Sequence, residues 1–112
     1  GDVYKRQVPN DVHAGDIETS TTLAIRPELV KMDQAVQSIP EFSSRYLNFT
    51  SKRSVGWYAR TVNISDSGIF GDPTQATPEK GKKMWEVMIN RLVEFIEALK
   101  GMSLEEIYQK KL

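Results

Sequence analysis

The most regular hydrophobic pattern runs from Thr77 to about Lys100. Met84, Trp85, Met88, Leu92, Phe95, Ile96 and Leu99 recur at spacings of three and four, while Lys82, Glu86, Asn90, Arg91, Glu94 and Glu97 take the other faces. That spacing predicts an amphipathic helix packed on a core. Thr77 can cap its start, Pro78 suits the first helical position, and Glu79 complements the positive end of the helix dipole. Gly101 can close the helix in a left-handed conformation. Ser103-Leu104-Glu105-Glu106 then fits the capping box of a short final helix.

Upstream the pattern is less decisive. Asp11 to Gly15 forms a short polar loop. In Ile17 to Ile25, the threonines and isoleucines favour a strand, yet Ile17, Thr21, Ala24 and Ile25 also make one stripe of a helix that Pro27 would end. Ser38-Ile39-Pro40-Glu41 fits a capping box for a short helix. Between Tyr46 and Ile64 the residues Val55, Trp57, Tyr58, Thr61, Val62 and Ile64 predict one or two extended segments. Residues 1–7 show no periodicity and no join to the segment after them, and are expected to be a non-native or unrelated leader. Residues 8–112 are expected to be one domain or part of one, without internal repeats.

Composition narrows the function classes. A chain of 112 residues with 39% hydrophobic and 27% charged residues suits a single globular unit. Fifteen basic residues balance fifteen acidic ones, which gives no electrostatic basis for nucleic-acid binding. The absence of cysteine removes disulfides, thiolate nucleophiles and zinc-finger ligation. No apolar run approaches the roughly twenty residues that span a bilayer, so no membrane role and a cytoplasmic location are expected.

One constellation could carry chemistry. His13, the single histidine, is followed by Asp16, Glu18, Thr19 and Ser20 within seven residues. A loop turning at Gly15 into a helix near Asp16 would leave an imidazole at the helix entrance with Glu18 close behind. An imidazole titrates near neutral pH, and a carboxylate in reach fixes its tautomer, so the two would make a proton-transfer pair. The competing reading is structural: a loop histidine with ordinary hydrogen bonds, and acidic residues that serve only the helix dipole. A metal site built wholly within this chain is not expected, because one histidine and no cysteine leave an almost all-carboxylate donor set without recognisable spacing. A serine-hydrolase elbow is absent, since Ser65 precedes Asp66-Ser67-Gly68 where glycine would be needed.

Two blocks carry a family resemblance. His13-Ala14-Gly15-Asp16-Ile17-Glu18-Thr19-Ser20 resembles the H-A-G-x-x-E-T-S signature of the creatininase family, and Arg26-Pro27-Glu28-Leu29-Val30 is similar to the R-P-E-L-V that comes after it. Ser67 to Gly81 resembles the later S-G-V-x-G-D-P-x-x-A-T-x-E-K-G block. The resemblance covers about residues 8 to 100. It implies the C-terminal portion of a three-layer α/β/α fold around a mainly parallel sheet, with a long C-terminal helix, and it tips residues 17–25 towards helix. It also implies a homo-oligomer, often a hexamer. The family hydrolyses amides: the cyclic amide of creatinine, a formamide of a pyrimidine nucleotide intermediate, or a bond in a peptide-derived cofactor precursor.

By motif position, the resemblance implies that His13 is the acid/base that contacts substrate, and that Glu18 orients it or supports the metal site. It also implies a divalent metal (zinc, manganese or iron) held by an E-x-H pair, an aspartate and later ligands upstream of H-A-G. None of these has a counterpart here, so the 112-residue chain alone is expected to be inactive and metal-free. Alternatives are a non-catalytic interaction module that buries the Trp85 to Leu99 face, and a degenerate paralogue.

Overall fold

The computed structural model describes residues 11–42, 44–47, 57 and 59–109. The expected leader at residues 1–7, and Val55 and Tyr58 of the expected extended segments, lie outside the described residues.

The ambiguous segment is a helix. Helix α1 spans Asp16–Ile25, with Asp16 and Glu18 in its first turn, and it stops at Arg26, before Pro27. A single helical turn, α2, spans Thr61–Ile64. Helix α3 spans Pro78–Lys100 and α4 spans Leu104–Tyr108. Thr77 caps α3 by accepting from the Lys80 amide, and Ser103 with Glu106 forms the reciprocal capping box of α4. Both caps fall where the sequence predicts them.

Three local expectations fail, each for a physical reason. Ser38 does not open a helix: its N–H donates to Gly71 O at 3.0 Å, and its carbonyl accepts from Gly71 N at 2.9 Å. That pairing holds it extended, and Pro40 biases Ile39 the same way. Thr61 to Ile64 coils into a helical turn, with Val62 76% exposed, so no pleated face exists for its β-branched residues to pack on. Gly101 closes α3 with φ −82°, right-handed, needing none of glycine's left-handed freedom.

Pairing of β type among the described residues consists of two isolated antiparallel bridges, His13 with Phe70 and Ser38 with Gly71. The layered sheet implied by the resemblance is not found among those residues.

The core is small and sits where α1 crosses the start of α3. Among the described residues the buried apolar side chains are Phe70, Ala76 and Met84, the last on the start of α3. Gly81 makes the crossing possible, since a Cβ there would stand 1.8 Å from Ser20 O. A polar network locks it. The Ser20 hydroxyl, fully buried, donates to Asp16 Oδ1 at 2.9 Å and accepts from the Thr77 amide at 3.1 Å. Lys80 Nζ reaches Asp16 Oδ2 and Gln75 O, both at 2.7 Å. Trp85 Nε1 donates to Thr21 O at 2.9 Å. Every polar group of this network is paired, the condition under which burying it is tolerable.

Candidate active site

His13 is held by its backbone. Its amide donates to Phe70 O at 3.0 Å, and its carbonyl accepts from Phe70 N at 2.8 Å, while the neighbouring Val12 amide also reaches Phe70 O at 2.8 Å. Phe70 itself is 1% exposed and packs against the ring of Phe42, centroid to centroid 6.0 Å. The imidazole is thus mounted on a buried anchor yet points outward, with its side chain 55% exposed.

The chain then turns into α1, but not at glycine. Ala14 takes the left-handed conformation, φ +51°, whereas Gly15 has φ −92° and serves as the N-cap without a side chain to offer. The cap comes from upstream: Asp11 Oδ1 accepts from the Asp16 amide at 3.0 Å and Oδ2 from the Ile17 amide at 3.2 Å. The carboxylate of Glu18, in the first turn, reaches back to accept from the Ala14 amide. This resembles a capping box displaced by one residue.

The outcome for the predicted pair is direct. His13 Nδ1 and Glu18 Oε2 lie 3.8 Å apart, with Glu18 61% exposed. The separation exceeds a hydrogen bond, and the same Glu18 oxygen accepts from the Ala14 amide. Glu18 also lines an open groove of about 560 Å³ with Ala14, Thr19, Thr22, Val30 and Lys31. Imidazole and carboxylate are together, half in solvent, at a rigidly mounted loop. That arrangement can take up, orient and pass on a proton.

It cannot hold a metal by itself. Among the described residues no group of three or more histidine, aspartate or glutamate side chains converges, and one imidazole with one carboxylate falls short of the three or more protein ligands that zinc-type sites use.

Comparison with known proteins places the chain. The sequence profile of the creatininase family, described as creatinine amidohydrolase, matches residues 1–96. The chain belongs to the creatininase family. It is 37% identical over 84 residues to the mycofactocin precursor peptide peptidase of Mycolicibacterium smegmatis, covering 71% of this chain and 30% of that protein. The peptidase of the same name from Mycobacterium ulcerans is 31% identical over 83 residues, covering 74% and 31% respectively. A crystal structure from Bacteroides fragilis NCTC 9343, described as a creatinine amidohydrolase, superposes with a TM-score of 0.68 at 31% identity, covering 88% of this chain and 38% of that one. The chain therefore resembles that structure over 88% of its length and spans about a third of the relatives it matches.

Family membership separates motif residues by job. In the second block, Asp72 caps the turn at Pro73–Gln75 by accepting from the Thr74 amide, Thr77 caps α3, Lys80 pairs with Asp16, and Gly81 lets α1 approach. These residues assemble the scaffold on which the first block sits. Sequence reasoning missed two participants, Asp11 and Lys80. The signal for Lys80 was its place in the family block. Asp11 gave none, because it caps a helix from five residues away.

Proposed function

We propose that the whole protein is a hydrolase of amide C–N bonds, in which His13 transfers a proton at the substrate and Glu18 orients the imidazole. The observation that carries this reading is the 3.8 Å approach of His13 Nδ1 to Glu18 Oε2 in a chain of an amide-hydrolysing family. Nε2, left unprotonated because the nearby carboxylate favours the proton on Nδ1, would take a proton from the attacking water, and the resulting imidazolium would return it to the departing nitrogen as the C–N bond breaks. A divalent metal, the cofactor expected of the family, supplies an activated water when bound. The described residues do not form its site, so no step is routed through it.

The structural neighbour is described as acting on creatinine and both curated relatives as acting on a precursor peptide. A peptide amide is accordingly the first substrate to assay, and creatinine the second. A second reading, a non-catalytic interaction module, draws support from the exposed apolar face of α3.

The test is a chimera in which this chain replaces the matching third of the Mycolicibacterium peptidase. The folded chimera is expected to hydrolyse the peptidase's substrate, and His13→Ala to lower kcat by about 10²–10⁴-fold. A folded, active chimera indifferent to His13→Ala would sink the proton-transfer role, and a folded but inactive one would favour the interaction module.

A further inference from the structure

We infer that Asp11 is the positioning residue that sets the geometry between His13 and Glu18, and that Gly15 exists at this point to admit its carboxylate. Asp11 Oδ1 sits where two side chains would otherwise be. A Cβ on Gly15 would lie 1.4 Å from it, and a Cβ on Gly71 would lie 2.2 Å from it and 2.9 Å from Gly15 Cα. Gly15 has no left-handed backbone to explain it, with φ −92°, so the space it leaves is its function. The H-A-G block and the G-D-P block thus converge on one carboxylate, contributed by neither.

The carboxylate spans the catalytic loop. It belongs to the residue two before His13, and it binds the amides of Asp16 and Ile17, the first two of the helix that carries Glu18. His13 is fixed to Phe70 by its backbone, and Glu18 is fixed to α1. Only the turn at Ala14 and Gly15 joins them covalently, and Ala14 is in a conformation disfavoured for a residue with a Cβ. Asp11 closes the other side of that turn. Both oxygens are used at 3.0 and 3.2 Å, so an amide at this position would offer an N–H to one of two N–H donors, and an added methylene would have nowhere to go between the two glycines.

The catalytic meaning of this arrangement rests on the proton-transfer reading, but its geometry can be read without turnover. The experiment is the long-range ¹H–¹⁵N spectrum of the His13 imidazole in the 112-residue chain, at a pH where the ring is neutral. Glu18→Gln supplies the reference for an uncoupled ring. Asp11→Asn is expected to move the imidazole to the Glu18→Gln pattern, lowering the Nδ1-protonated tautomer about twofold, while the Trp85 indole signal at the α1–α3 crossing stays in place. An imidazole spectrum unchanged by Asp11→Asn overturns the inference.

Should Asp11→Asn fail to fold, the unsubstituted chain decides. The Asp16 and Ile17 amides are expected to exchange about fivefold more slowly than that of Glu18, which has no such partner, and equal rates overturn the inference. A pair of variants tests the space. Gly15→Ala is expected to disturb the imidazole more than the double variant Asp11→Ala/Gly15→Ala, and the reverse order counts against it. An inactive chimera with these spectral outcomes intact would remove the proton-transfer reading and leave the positioning role standing.

Discussion

The two ends of α3 share one hydrophobic rhythm and have opposite surroundings. From Pro78 to Trp85 the helix meets α1 through Gly81, Met84 and the Lys80–Asp16 pair, and from Glu86 to Lys100 every residue is exposed. Leu92, Phe95 and Ile96 are 57%, 58% and 45% exposed, on a helix whose stripe the same spacing predicts to be core-facing throughout. Periodicity therefore reports which face requires cover, not whether cover is supplied. An apolar face of this extent marks a surface that another part of a protein or a partner would occupy.

The largest effect should come from the tightest contact. Gly81→Ala places a Cβ against the Ser20 carbonyl, and the gain of about 1 kcal/mol in helix propensity cannot offset it. A net loss of about 3 kcal/mol is expected in urea denaturation followed by far-UV circular dichroism. Gly101→Ala, at the far end, meets nothing nearer than 3.6 Å and should leave the midpoint unmoved.

Next is a comparison one turn apart. Met84→Ala, at 8% exposure, should cost about 2–3 kcal/mol, whereas Met88→Ala, at 44%, should stay within about 0.5 kcal/mol. Equal costs would show that the far half is covered in solution, and the contrast between the two ends would collapse.

Charge pairs sharpen the same contrast. Lys80→Met strands the Asp16 carboxylate, 5% exposed, with Ser20 alone, and should cost about 1–2 kcal/mol, reduced because Lys80 is itself 26% exposed. Lys100→Met breaks a pair with Glu97 in which both side chains are about two-thirds exposed, and thermal melts should barely register it.

The smallest effect lies just beyond α1. The Arg26 guanidinium, and then its own backbone amide, hold the Glu28 carboxyl below its ordinary 4.5. A depressed value means that the contribution is present above the unfolded value and lost as pH falls through the folded one. The slight difference in melting temperature between the protein and Glu28→Gln should therefore exist at pH 7 and vanish on acidification below pH 4.5.

The features legible in the sequence rest on chemistry that is local along the chain. Thr77-Pro78-Glu79 and Ser103 to Glu106 announced their helices because a cap and its amides lie within four residues. Ser38 carried the same local signature and misled, because a bridge to Gly71, 33 positions away by number, claimed its backbone first. The His13–Glu18 pair was legible from spacing, and the structure brings the two together. The turn between them was not: the left-handed residue is Ala14 rather than Gly15, since the glycine is needed for room beside Asp11. No periodic reading finds a cap supplied from upstream across a loop.

Because the hydrogen bonds joining His13 to Phe70 run through main-chain atoms alone, almost any side chain could stand at position 13 without harming the fold. Glu18 has no such freedom, since its carboxylate also secures the Ala14 amide. In a lineage released from selection for turnover, position 13 is expected to drift first, with position 18 persisting for folding's sake.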